Sequence, residues 1–403
     1  MPRTQSTFVS LSLALALSAP AGAQSFAQLE SVLRDHPTLQ VMDHQAQARR
    51  ELATAATALP DPVLSLGINN FPLFDPSFNE FLPTNKAFGV RQQFPNRAGR
   101  QARADEALAR ASATQDMRRQ RYAALRGELI ALLHEQKRIA RQRTLAQARH
   151  SKYDELTQVA ESEIDAGRPA LFRLAEIEGE RVEVDRTLVE LEGQKARIDA
   201  RLIDLVGAVP TTPAPPVRTI EWNGDVMAFH ATRVAGAAVT VRDRGIDNAE
   251  AALKPDWGAQ LTYQQRESGA NFAGDDWVSV MLTFSAPVWS SRSQQPRLRA
   301  AKAEHAAAQA DYAATAREVT AQYATYRAMR QAAQDSAAVL EQKIAAIEDE
   351  VAAQFTVYES GAGDYSRIID GEIAILSLRA DIAAQQARMA TATARMNALL
   401  VTQ

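Results

Sequence analysis

Trp257-Gly258-Ala259-Gln260-Leu261-Thr262-Tyr263-Gln264, followed after a polar stretch by Asp276 to Pro287, decides the fold. In the first segment Trp257, Ala259, Leu261 and Tyr263 fall on one face and Gly258, Gln260, Thr262 and Gln264 on the other. In the second, Val278, Val280, Leu282 and Phe284 oppose Ser279, Met281, Thr283 and Ser285. A period of two predicts strands with one apolar and one polar or small face. The polar residues 267–275 then join them as a hairpin. The same pattern stands earlier in the chain. Leu64, Leu66 and Ile68 alternate with Ser65, Gly67 and Asn69; a Pro- and Asn-rich loop, 72–85, follows; then Phe88, Val90 and Gln92 alternate with Gly89, Arg91 and Gln93.

The two hairpins belong to a unit written twice. His36 and His230 stand 194 residues apart. The same offset carries Ala58-Leu59 onto Ala252-Leu253 and Gly167 onto Gly361, and Pro95 and Pro287 match at 192. A spacing held across the chain is the mark of duplication. The organisation expected is a signal peptide over 1–23, a first repeat over 24–207 with its hairpin at about 62–95, a linker over 208–227, and a second repeat over 228–403 with its hairpin at about 255–288.

Around the hairpins the pattern is helical. A helix is predicted over 26–59, stopped by Pro60-Asp61-Pro62. A proline-free stretch from about Ala98 to Asp165 carries Leu125, Leu129, Leu132 and Leu133 on one stripe. At ~1.5 Å per residue such a helix is about 100 Å long. Gly167-Arg168-Pro169 breaks it, and a second helix runs from Leu171 to Val206. The second repeat follows the same plan, with helices at 228–253, 295–360 and 365–400 and a break at Gly361-Ala362-Gly363. The heptads look imperfect, but long helices with small residues on their contact faces suit coiled-coil packing. The fold class is mainly α with a small β part.

Composition narrows the function. Arg3, the apolar run Phe8 to Pro20 and Ala21-Gly22-Ala23 read as a secretory signal with its cleavage site. That run is too short to span a bilayer as a helix, and no later stretch is long enough. There is no cysteine, which removes disulfides, thiolate metal sites and the lipid-acceptor residue of a lipoprotein. The formal charge of -3 makes nucleic acid a poor partner. Aromatics at 6% argue for long packed helices over a compact aromatic core. The six histidines are scattered and show no metal-site spacing. Hydrolase, zinc-protease and phosphate-loop motifs are lacking, so neither an enzyme nor a cofactor is expected.

Four strands of about ten residues fit a transmembrane β-barrel, with Trp257, Tyr263, Phe284 and Trp289 as its interfacial aromatics. They fit a soluble four-stranded sheet as well on patterning alone. The export signal favours the barrel. Four strands cannot close a barrel, and an open edge is not tolerated in lipid, so a barrel reading requires several copies of the chain.

The layout resembles the TolC-like outer-membrane factor family across nearly all of 26–403. The resemblance rests on the duplicated plan, on His36-Pro37, on Gln92-Gln93-Phe94-Pro95, and on the two glycine turns. The segment Tyr358-Glu359-Ser360-Gly361-Ala362-Gly363-Asp364, then Ile368-Ile369-Asp370, is similar to the family's periplasmic tip. Ala58-Leu59-Pro60-Asp61-Pro62 and Pro95-Asn96-Arg97 resemble the heavy-metal-efflux branch most. The resemblance implies a homotrimer in the outer membrane, with a shared twelve-stranded barrel and a long periplasmic α-barrel. It implies the exit duct of a tripartite efflux pump or a type I secretion system, working with a periplasmic adaptor and an inner-membrane transporter. Gly167, Arg168, Gly361, Gly363 and Asp364 would form the adaptor-docking tips, with Asp364 alternatively an N-cap. Tyr358, Arg367 and Asp370 would form the periplasmic gate. Arg367 departs from a family aspartate, and an Asp370–Arg367 contact between neighbouring chains would replace the acidic double ring. The rival class is a soluble periplasmic coiled-coil adaptor or scaffold.

Overall fold

A computed structural model describes residues 25–74, 76, 84–167, 171–266 and 274–401. The signal segment 1–23 and the predicted tip residue Arg168 lie outside them. The elements run α1 (Phe26–Arg34), α2 (Pro37–Thr57), β1 (Val63–Asn69), β2 (Asn85–Phe94), α3 (Arg97–Asp165) and α4 (Leu171–Val206). After an extended connection come a 3-10 turn at Val226–Ala228, α5 (His230–Ala251), β3 (Trp257–Arg266), β4 (Trp277–Phe284), α6 (Gln294–Glu359) and α7 (Tyr365–Leu399).

The single helix expected over 26–59 is two. Pro37 lacks the N–H a continuing helix needs, and it sits instead in the first turn of α2. His36 caps that turn: its Nδ1 accepts from the Thr38 N–H at 3.2 Å. Ser25 and Gln28 form a reciprocal capping box at the start of α1.

The long helices α3 and α4 each bury one position in every seven along a continuous stripe. In α3 the buried or half-buried positions Leu125, Leu132, Ile139, Ala146, Tyr153 and Ala160 recur every seventh residue. In α4 Ile177, Val184, Leu191, Ile198 and Leu205 do the same. Along α3 this stripe changes from Leu125, Leu132 and Ile139 to Ala146, Tyr153 and Ala160, while in α4 it is aliphatic throughout. A sustained seven-residue repeat makes the pair wind left-handedly around each other. Leu29, Leu33 and Leu39 of the N-terminal helices close over Leu125, Leu129 and Leu133 at one end of this pair. At the other end Ile369 and Ile373 of α7 enter the α3–α4 cluster. α7 also packs on α6 through Ile344, Ile375 and Leu378. So α7 fastens the second repeat to the first, together with α5, which also packs on α3.

The connection after α4 is held from both sides. Trp222, Phe229 and Tyr323 pack as an aromatic triad, with centroids 5.0–5.9 Å apart. His134 of α3 donates from Nε2 to the Pro215 carbonyl at 2.9 Å. Burial lowers the affinity of His134 for a proton, Lys137 adds to the effect, and the Pro215 bond opposes it. Burial and then Arg233 lower His230 in the same direction. Both imidazoles are therefore harder to protonate in the fold than in the unfolded chain. Below the ordinary value of about 6.5 the unfolded chain takes up protons that the folded chain refuses. Helix stability is expected to fall as pH drops below that value. A His134→Gln variant should show a flatter dependence of Tm on pH by circular dichroism, and an unchanged slope would contradict this account.

Candidate duct wall and periplasmic tip

The four strands form one antiparallel sheet in the order β1-β2-β3-β4. The central pairing, β2 with β3, joins the two repeats, with Phe94 opposite Trp257 and Asn85 opposite Arg266. A cross-repeat stitch fixes this register at the helix end. The Asn96 backbone N–H and side-chain amide donate to Asp256 Oδ1 at 2.7 and 2.9 Å, while Asn96 Oδ1 caps α3 through Gly99 at 2.6 Å. Asn96 thus anchors one helix and both hairpins.

Register sorts every strand residue onto a face. One face carries Leu64, Leu66, Ile68, Phe88, Val90, Phe94, Trp257, Ala259, Leu261, Tyr263, Val278, Val280, Leu282 and Phe284, with Gln92 near its helix end and Lys86 and Gln265 at its loop end. Leu66 is 84% exposed and Leu282 75% exposed, so no layer among the described residues covers it. The other face carries Ser65, Asn69, Ala87, Arg91, Gln93, Gln260, Thr262, Gln264, Ser279 and Thr283. The outer strands β1 and β4 each leave one edge unpaired by any described strand. An exposed apolar face and unpaired strand edges are surfaces that folded proteins ordinarily cover.

The predicted aromatics lie at both ends of the apolar face. Trp257 stacks on Phe284 with centroids 4.8 Å apart, and Trp289 follows just beyond β4, all near the helices. Tyr263 lies towards the loop end, where its hydroxyl donates to the Asp276 carboxylate. Trp277 went unread in the sequence. Its register partner is Gln264, which places it on the polar face, where the Arg266 guanidinium lies 4.4 Å from its ring.

At the far end of the helices the two turns are built alike. Gly167 and Gly361 have φ of +78° and +79°, in the left-handed region that an L side chain rarely enters. Asp364 caps α7, with its carboxylate accepting from the Ser366 N–H at 2.8 Å. Tyr358 stacks on Tyr365 at 5.2 Å and is largely exposed. Asp370 is engaged by an arginine that sequence reasoning passed over. Arg173 of α4 donates to both its carboxylate oxygens, at 2.8 and 2.6 Å, and to Glu176 at 3.0 Å. Burial alone would lower the Arg173 proton affinity, but Asp370 and Glu176 raise it. Arg367 lines the same crevice and forms no ion pair among the described residues. One turn further along, Lys152 of α3 bridges Glu155 and Glu372, both at 2.8 Å, and its proton affinity rises accordingly.

The repeat offset explains Arg173. Moving it by 194 residues gives Arg367, and moving Glu176 gives Asp370. The Arg173–Asp370 bond therefore joins the basic residue of the first tip to the acidic residue of the second.

Among the described residues no group of three or more His, Asp and Glu side chains is placed to hold a metal, and no helix is long and apolar enough to cross a membrane. The structure is thus a single-layer four-stranded sheet on a long helical stalk. Residues 230–401 match the family described as outer membrane efflux protein. The fold of the whole chain is shared with solved structures at low identity. CusC, studied for folding and transmembrane channel formation, superposes with a TM-score of 0.77 at 14% identity, covering 97% of this chain and 100% of its own. VceC, an outer membrane protein of Vibrio cholerae, gives 0.73 at 15%, covering 93% and 95%. The MtrE outer membrane channel of Neisseria gonorrhoeae, in its open state, gives 0.68 at 14%, covering 91% and 88%. No curated protein sequence matches the chain. Nothing in the fold or these similarities favours the soluble adaptor.

Proposed function

We propose that three copies of this chain close one twelve-stranded barrel in the outer membrane and extend a helical duct through the periplasm. The duct would be the exit of a tripartite efflux pump, or of a type I secretion system, fed by an inner-membrane transporter through a periplasmic adaptor. The observation that carries this reading is the four-stranded sheet with a bare apolar face and two open edges. The lack of a lipid-acceptor cysteine leaves the barrel as its anchor. The Ala58–Pro62 and Pro95–Arg97 junctions support the heavy-metal-efflux branch.

The tips around Gly167, Arg168, Gly361, Gly363 and Asp364 are proposed to dock the adaptor, and Tyr358, Arg367 and Asp370 to belong to the gate. Three duplicated chains place six similar helix pairs around one axis. Arg367 of one protomer would then face Glu176 of the next, as Arg173 faces Asp370 within a protomer. The gate so formed is a ring of alternating charges, and it replaces the Asp370–Arg367 contact expected between neighbours.

The test is the mass of the detergent-extracted complex, by light scattering corrected for bound detergent. Three chains per particle are expected. A water-soluble monomer or dimer would remove the barrel reading.

A further inference from the structure

We infer that a basic crevice partway along the stalk is a binding site for a small anion carrying two or more phosphate or carboxylate groups. The crevice has a volume of about 440 Å³ and lies between α3, α7 and the connection after α4. Lys137, Arg138 and Arg141 of α3 line it, as does Arg330 of α6, and none of its lining residues is acidic. Arg138 is already engaged, donating to Glu135 at 2.6 Å and to Gln194 at 2.8 Å. The side chains of Lys137, Arg141 and Arg330 form no ion pair or hydrogen bond among the described residues. Lys137 is near enough to lower the proton affinity of the His134 ring, so the wall already carries a positive potential.

The helices gather these cations without supplying acids. Lys137 and Arg141 stand four residues apart on one face of α3. The positions three or four away from either are Leu133, His134, Arg138, Ala140, Thr144 and Leu145, so no carboxylate reaches them along the helix. Like charges so spaced repel, and an anion between them turns that repulsion into attraction. On α7 the wall is Ala383, Ala387 and Ala390, all buried and too short to fill the space. Asp381 is nine residues from Ala390, about two and a half turns, and so points away from the crevice. On α6, Glu341 lies eleven residues beyond Arg330, about 16 Å along the helix. Two neutral donors complete the site: the Thr219 hydroxyl and the Gln386 amide line it, and neither makes a side-chain hydrogen bond among the described residues. Three unpaired cations match the charge of a diphosphate or a tricarboxylate, and the planar forks of Arg141 and Arg330 suit their paired oxygens. An anion held by Arg141 of the first repeat and Arg330 of the second would tie the two repeats together across α7. The site lies within one chain, so it stands or falls independently of the duct reading.

The experiment is titration calorimetry of the detergent-extracted full-length protein with sodium pyrophosphate at low salt. One saturable site per chain is expected, with citrate competing for it and binding weakening as salt rises towards about 1 M. Arg141→Gln and Arg330→Gln are each expected to weaken binding about tenfold, the loss of one charge-assisted contact. Arg143→Gln should leave it unchanged, because Arg143 pairs with Glu192 and does not line the crevice. No saturable uptake by the wild type overturns the inference. Equal weakening in all three variants also overturns it, since that is the mark of diffuse attraction to a basic surface. If a variant fails to fold, the wild type still decides by a second reading. Pyrophosphate should raise its Tm, followed by circular dichroism, more than sodium chloride does at equal ionic strength. Equal effects of the two salts refute the site.

Discussion

Arg173→Asp is expected to open the periplasmic end of the reconstituted channel and raise its conductance. The wild-type pair is only moderately shielded, with Arg173 34% and Asp370 47% exposed. An ion pair of that exposure contributes about 0.5 kcal/mol, so three symmetry copies contribute about 1.5 kcal/mol to closure. Reversal removes that term and sets the introduced carboxylate against Asp370 and Glu176, a repulsion of similar size. The total of about 3 kcal/mol corresponds to a shift of about 100-fold in the balance of open and closed states, since about 1.4 kcal/mol is a factor of ten. The exchange Arg173→Asp with Asp370→Arg should restore closure only in part, because Glu176 then stands beside an acid instead of its arginine. High salt should weaken closure in the wild type, the Debye length shrinking to about 3 Å at 1 M. A conductance unmoved by Arg173→Asp, in trimers that assemble normally, would remove this pair from the gate.

The same pair marks how far the sequence could be read. The alternation of Leu64, Leu66 and Ile68, and of Val278, Val280 and Leu282, assigns the strands because a period of two has no helical counterpart. The turns at Gly167 and Gly361 are legible because each breaks a long helical stripe at the same place in its repeat. Which arginine meets Asp370 is not a local property. Arg367 lies three residues away and suggests itself, yet the bond comes from Arg173 on a helix nearly two hundred residues earlier. The duplication did hold a signal, since Arg173 is the repeat counterpart of Arg367. Trp277 escaped for a different reason. It opens β4, where the alternation is not yet established, and its face is set only by pairing with Gln264. The break at His36-Pro37 was visible as a motif, but the apolar stripe on both sides reads through it.

Gly363→Ala is expected to abolish efflux while leaving a trimer in the membrane. A Cβ at this position would lie 2.5 Å from the Tyr358 nitrogen, 2.7 Å from its Cα and 3.0 Å from the Val357 carbonyl carbon. These are backbone atoms at the end of α6, so no side-chain rotation relieves the clash. Relief requires the turn to open, and forced overpacking of this kind costs about 1–3 kcal/mol. The neighbouring Gly361→Ala is the informative contrast. Nothing lies within 4 Å of its Cβ position, and the cost is the left-handed φ of +79° alone, about 1–2 kcal/mol. That cost strains one residue without displacing the turn, so Gly361→Ala should retain partial efflux. The damage at Gly363 should stay local. The buried α7 residues nearest the turn, Ile369 and Ile373, belong to the α3–α4 cluster, and the α6–α7 cluster of Ile344, Ile375 and Leu378 lies several helical turns away on the α6 side. Oligomeric migration on gels and the thermal midpoint should therefore change little, while the Tyr358–Tyr365 stack is lost and the tip no longer presents its surface to an adaptor. Drug or metal susceptibility of cells carrying Gly363→Ala, measured beside trimer yield, is the decisive pair of readings. Full resistance with normal trimer yield would show that the tip geometry at Gly363 is dispensable.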